Sequence, residues 1–170
     1  MAGFLDTVGE VLAQEFSDIP DAGEATRILL RLGIAALLGG LLGLERERSG
    51  HAAGIRTHML VSMGAALFVL VPLQSGVEQT DISRVVQGIV AGVGFLGAGT
   101  ILKDSSSPHV RGLTTAAGIW LTAAIGMAAG LGRETTAVLS TVLALVVLSL
   151  EPVLGRLAQR LRRVRREPLP

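Results

Sequence analysis

Four short segments of this sequence carry side chains with chemical potential. Glu45-Arg46-Glu47-Arg48 sets two carboxylates and two guanidinium groups at the end of an apolar run. Arg56-Thr57 and Arg111-Gly112-Leu113-Thr114-Thr115 each open a later apolar run with a cation followed by hydroxyls. A helix start already carries partial positive charge, so an arginine there calls for an external anion. The candidates are the carboxylates of Glu45 or Asp104, a lipid phosphate, or a bound anion. Read more plainly, Thr114 or Thr115 caps a helix, Arg111 anchors it, and Arg46, Glu47 and Arg48 form a solvated helix end. Glu45 directly follows a glycine-lined face. Held inside a helix bundle it needs an arginine or a metal ion, which makes it the best metal candidate.

The fourth segment is apolar. Gly92-Val93-Gly94-Phe95-Leu96-Gly97 matches the dinucleotide fingerprint, but it lies within an apolar run and residues 112–132 contain no Asp or Glu to bind a ribose. Helix packing is the better reading. Gln87 stands a turn into the same run and is expected to hydrogen-bond between helices. His51, His58 and His109 match no zinc spacing. There is no Ser/His/Asp signature, no phosphate-binding loop and no paired carboxylate motif, so neither enzymatic activity nor a resident cofactor is expected.

The elements that must position these groups are membrane helices. Apolar residues make up 49% of the 170 residues and aromatics only 3%, a balance suited to helices packed through small side chains. Five apolar runs, residues 27–45, 57–74, 84–102, 112–131 and 134–154, each approach the ~20 residues needed to cross a bilayer. In lipid every backbone polar group must be satisfied within the element, so each run is expected to be helical. The fold class is therefore all-α, with about five transmembrane helices and a tight hairpin between the last two. Residues 1–24 form an amphipathic segment with Phe4, Leu5, Val8, Val11, Leu12 and Phe16 at helical spacing, residues 27–154 the transmembrane domain, and residues 155–170 a basic tail.

Charge sets the expected orientation. Every charged side chain before Arg27 is acidic, whereas the tail carries Arg156, Arg160, Arg162, Arg163, Arg165 and Arg166. Lys- and Arg-rich short loops stay cytoplasmic, which puts the N-terminus outside and the C-terminus inside. Nucleic acid is not an expected partner; the bilayer is. Arg31 is expected to snorkel outward beside Arg27.

Small residues recur four apart, on one helix face. They are Ala35, Gly39 and Gly43 in the first run, Gly88/Gly92 and Gly94/Ala98 in the third (with Gly97 and Gly99 beside them), and Gly118, Thr122, Gly126 and Gly130 in the fourth. The first, third and fourth runs are accordingly expected at the centre and the bulky fifth at the edge. The first two runs and the next two also read as a short parallel repeat.

Gly43-Leu44-Glu45-Arg46-Glu47, Ala53-Gly54-Ile55-Arg56-Thr57-His58, Gly94-Phe95-Leu96-Gly97-Ala98-Gly99 and Val110-Arg111-Gly112-Leu113-Thr114-Thr115-Ala116-Ala117 resemble the MgtC/SapB family, in order and with matching gaps. The resemblance covers roughly residues 27–150. It implies a multi-pass bacterial inner-membrane protein associated with magnesium homeostasis and growth at low magnesium. Some members are virulence factors, and one is described as restraining the F-type ATP synthase. By position, the family's polar residues fall on Glu45, Arg46, Arg56, Thr57, Gln87, Arg111, Thr114 and Thr115. Thr114 and His58 stand where the best-known branch has asparagines. Many members add a soluble ACT-like domain, so this sequence reads as a short form.

Three functions follow. The first is a regulator of another inner-membrane protein, such as a magnesium transporter or ATP synthase. The second is a small transporter or channel for Mg²⁺ or a charged solute, with Mg²⁺ as ligand or substrate. The third, a lipid-modifying enzyme, has only the cationic helix starts in its favour.

Overall fold

The computed structural model describes residues 3–17, 21–76, 81–103 and 110–150, with backbone alone at 102–103. It contains α1 (Phe4–Glu15), α2 (Ala22–Arg48), α3 (Ile55–Gln74), α4 (Ile82–Thr100), β1 (Leu102–Lys103), β2 (Val110–Arg111), α5 (Leu113–Gly130) and α6 (Glu134–Ser149). The C-terminal arginines, Asp104 and His109 lie outside the described residues.

Helix ends follow from local chemistry. The Asp21 carboxylate accepts a hydrogen bond from the Glu24 backbone N–H (2.8 Å) and caps α2. Arg46 and Arg48 occupy the last turn of α2, where the helix dipole favours cations. The α3 start has Gly54 as its cap residue, with no side chain to offer, and Glu47 reaches across the turn so that its carboxylate accepts from the Ile55 N–H (3.0 Å). Pro72 lacks an N–H, and α3 stops two residues beyond it.

Four helices, α2 to α5, are long and apolar enough to cross a membrane. The expected fifth crossing is represented by α6, apolar but 16 residues long in its described part, roughly 24 Å of helix. The class departs from all-α in one detail. β1 and β2 form a two-residue antiparallel ladder, Leu102 opposite Arg111 and Lys103 opposite Val110. It satisfies backbone groups where the chain leaves α4 and returns into α5. Gly112 then adopts φ +91°, and a Cβ there would collide with the Thr100 carbonyl, so only glycine fits this turn.

The helix at the centre is α3. A Cβ on Gly39 would lie 2.6 Å from the His58 carbonyl oxygen, and one on Gly43 would lie 2.6 Å from the Ile55 Cα. From the other side, Cβ atoms on Gly126 and Gly130 would strike the backbone carbonyls of Ser62 and Ala66. The α3 backbone is thus pressed between α2 and α5. Alanines complete the packing: Ala35, Ala66, Ala129 and Ala137 in one buried cluster, Ala65 and Ala123 in another with Val69 and Ile119.

The third apolar run, expected at the centre, is α4, and it sits at the edge. It meets α5 where Gly97 approaches Ala116, and Ile89 and Val93 face inward. Gly88, Gly92, Gly94 and Gly99 have nothing near the position of a Cβ. Small residues permit close approach without compelling it, and the α3 face His58, Ser62, Ala66 and Leu70 provides the surface that the other glycines meet.

Leu29, Leu37, Leu60, Phe68, Phe95 and Leu143 are among many large apolar side chains left exposed. An outward surface of this kind suits lipid rather than water. In α1, the apolar and acidic sides are exposed alike. Gly126→Ala is expected to destabilise the bundle by about 1–3 kcal/mol through overpacking, while Gly92→Ala changes stability by less than about 0.5 kcal/mol. Thermal unfolding of both variants in detergent checks this, and equal effects would contradict the arrangement.

Candidate functional site

The four consecutive charges at the end of α2 have unequal fates. Glu47 and Arg48 are exposed, Glu45 is partly buried, and Arg46 is fully buried at 0% exposure. The helical repeat explains it. Gly39, Leu42, Gly43 and Arg46 fall on one face of α2, and all four are buried. Glu45 lies off that face. Its Oε2 is 3.6 Å from Arg46 Nη1, and its Oε1 accepts from the Ser49 hydroxyl at 2.8 Å. Glu45 therefore pairs with its own neighbour, and the described ion pairs do not join it to Arg56 or Arg111.

His58 is the second buried polar group, also at 0% exposure, one turn into α3. Its Nδ1 lies 3.0 Å from the Gly54 carbonyl oxygen. A carbonyl only accepts, so Nδ1 carries the proton in this contact. Nε2 is left facing α5, where a Cβ on Gly118 would lie 3.6 Å away. Nε2 has no hydrogen-bond partner among the described residues, and neither do the buried hydroxyls of Ser62 and Thr122.

Arg46 and His58 line one end of a cavity of about 400 Å³ formed between α2, α5 and α6. Thr114 and Gly118 of α5 and Ser140 of α6 contribute to the wall, which is otherwise aliphatic. Of the remaining sequence candidates, Thr115 is buried at the start of α5, whereas Arg56, Thr57, Gln87, Arg111 and Thr114 are exposed. Gln87 is exposed on α4. No three His, Asp or Glu side chains converge among the described residues. The sequence alone does not single out the burial of Arg46 or of His58, although both stand four residues from a buried small or aliphatic position on their helices (Leu42 and Ser62).

At the opposite end of the bundle Arg31 turns inward instead of snorkelling. Its Nη1 donates to the Gly130 carbonyl (3.1 Å) at the end of α5, and its Nε lies 3.9 Å from Glu134 at the start of α6. One guanidinium thereby serves both helix ends of the α5–α6 hairpin.

The MgtC family model matches residues 32–157, and the chain belongs to that family. It is 46% identical to "Protein SrpB" of Synechococcus elongatus over 138 residues, 75% of this chain and 76% of the relative. It is 42% identical to "Putative magnesium transporter YhiD" of Escherichia coli K12 over 127 residues, 71% of this chain and 58% of that protein. It is 40% identical to "Protein MgtC" of Salmonella typhimurium over 133 residues, 78% of this chain and 54% of that protein. The chain thus spans little more than half the length of the last two. No solved structure matches.

Burial separates the arginines energetically. Arg46→Ala is expected to cost about 2 kcal/mol or more, since both its packing and its charge interactions are buried. Arg56→Ala and Arg111→Ala are expected to stay within about 0.5 kcal/mol, as surface substitutions do. Denaturation of the three variants in one detergent measures the difference, and an Arg111→Ala loss equal to that of Arg46→Ala would contradict the geometry.

Proposed function

We propose that this chain is a bacterial inner-membrane protein of magnesium homeostasis that supports growth at low magnesium by contact with another membrane protein. Membership of the MgtC family and the printed name of the YhiD relative support the link to magnesium. The observation that carries the regulatory reading is the sign of the buried charge. The fully buried ionic side chain at the α2–α3 end is an arginine, with Glu45 partly exposed beside it. A divalent cation drawn into the bundle there would meet a like charge in a medium that screens poorly.

In this reading the end that carries Arg46, Arg48, Arg56 and Arg111 faces the cytoplasm, in keeping with the preference of basic loops for that side. The helix α6 makes a fifth crossing, α1 lies along the membrane surface, and the N-terminus is outside. The exposed Arg56, Thr57, Arg111 and Thr114 form the face offered to a protein partner, a magnesium transporter or ATP synthase being the kinds the family suggests. No catalytic step and no resident cofactor are invoked.

A second reading, a small Mg²⁺ transporter, is favoured by the name of the YhiD relative. Flux measurements separate the two. Liposomes holding the purified chain and an internal Mg²⁺-sensitive dye are expected to take up Mg²⁺ no faster than empty ones. The same gene is expected to restore growth at low magnesium to a bacterial strain deleted for its own homologue. Mg²⁺ flux that disappears in Glu45→Gln would overturn the regulatory reading in favour of transport.

A further inference from the structure

Helix α4 turns a face away from the bundle, and an open groove of about 430 Å³ runs between it and α3. Phe68 of α3 forms one wall, and Val85, Gly88, Gly92 and Leu96 of α4 form the other. A Cβ on Gly88 or Gly92 would meet nothing within 4 Å, so neither glycine serves the packing of a single copy. The outward faces of α2 and α6 are built differently. They present Leu29, Leu37, Leu139, Leu143 and Val147 to the lipid, all well exposed. Glycine costs helix stability and offers lipid no side chain, so a glycine-lined groove gains only from a close protein neighbour.

The residues around the glycines indicate which neighbour. A helix advances about 100° per residue. Viewed down α4 from Gly88, Phe95 and Arg84 lie roughly 20° and 40° to one side, and Asp81 and Gly92 lie roughly 20° and 40° to the other. Phe95 is 82% exposed and stands beside the groove without lining it. Asp81 is the cap residue of α4, yet its carboxylate makes no capping bond. Asp81 and Arg84 are both exposed, and neither side chain enters an ion pair among the described residues. The face thus carries a knob and a cation on one side, a groove and an anion on the other.

That arrangement is self-complementary. Two copies in one membrane share a topology, so a two-fold axis relating them runs along the membrane normal and brings residues of similar depth together. Placed at Gly88, such an axis sets the knob side of each copy against the groove side of the other. Phe95 of one copy then meets Gly92 and Phe68 of the second, and Arg84 meets Asp81, each contact occurring twice. Helical side chains lean toward the N-terminus of their helix, which carries the Phe95 ring back to the level of Gly92. An acyl chain also fits an apolar groove, but it brings neither a carboxylate for Arg84 nor a cation for Asp81.

We propose that α4 is the interface of a homodimer, with Gly88 at the crossing point, Phe95 of each copy in the α3–α4 groove of the other, and Arg84 paired with Asp81 across the contact. The interface uses none of Arg56, Thr57, Arg111 and Thr114, and it stands whether the protein regulates a partner or moves an ion.

The test uses the full chain in membranes. The sequence has no cysteine, so a single introduced one forms a disulfide only with another molecule. Under mild oxidant Gly88→Cys is expected to run as a disulfide-linked dimer, and Leu143→Cys, at a position 66% exposed on α6, as a monomer. Association in lipid vesicles is followed by energy transfer between labelled copies. It is expected to weaken about tenfold in Phe95→Ala, which removes the knob, and in Gly92→Leu, which fills the groove. Asp81→Arg and Arg84→Asp are each expected to weaken self-association, while a mixture of the two variants forms heterodimers in preference. All of these α4 positions are exposed, so the fold of the single copy is left intact. A Gly88→Cys chain that stays monomeric or links to a different protein would overturn the proposal. So would an equal dimer yield from Leu143→Cys, undiminished association in Phe95→Ala and Gly92→Leu, or charge variants that associate no better mixed than alone.

Discussion

The structure depends on one contact, the backbone of α3 held against glycines from two sides. Gly39 and Gly43 of α2 meet it around Ile55, His58 and Ser62, and Gly126 and Gly130 of α5 meet it at Ser62 and Ala66. In lipid the hydrophobic effect does not drive helices together, so van der Waals contact between close backbones must do so. A glycine costs helix stability in water, yet the bilayer enforces helicity and leaves the gain in approach distance. The alanines of the two buried clusters follow the same logic, and the bulky aliphatics are turned outward to the lipid.

Close approach has a consequence for the polar residues. The face of α2 that ends in Gly39 and Gly43 continues into Arg46, so the packing that needs the glycines also buries a guanidinium. The α3 face that receives those glycines begins with His58. Two polar groups are thereby drawn inside the bundle at one end by the same seam, with Glu45 half outside as a counter-charge. The cavity beside them exists because Gly118 and Ala117 on α5 and Ala144 on α6 leave space that larger side chains would fill.

Much of this was legible in the sequence, for physical reasons. Apolar length reveals helices α2 to α5 because hydrocarbon thickness sets their minimum. Their four-residue spacing marks Gly39, Gly43, Gly126 and Gly130 as packing positions, and a Cβ on any of the four would strike the α3 backbone. The same spacing in Gly88 and Gly92 faces open space, because a small-residue stripe does not specify its partner. The central role of α3 was hidden, since its contact face contains His58, Ser62 and Leu70 instead of glycines. Among the charges, adjacency to Gly43 suggested Glu45. The 3.6-residue repeat selects Arg46, one turn beyond Leu42. The β1–β2 ladder is too short for any periodicity to reveal.

The sequence contains no cysteine, which allows the central seam to be tested by a single introduced pair. Gly40, beside the seam on α2, would carry a Cβ 3.3 Å from Met59 Cγ on α3. Gly40→Cys combined with Met59→Cys in native membranes is the direct measurement, because the Met59 Cγ marks where a cysteine sulfur would stand and a disulfide closes only between backbones that approach this nearly. Rapid and near-complete intramolecular disulfide formation under mild oxidant is the predicted result. A pair that stays reduced in folded, membrane-inserted protein would contradict the close packing of α2 on α3, and with it the burial of Arg46 and His58.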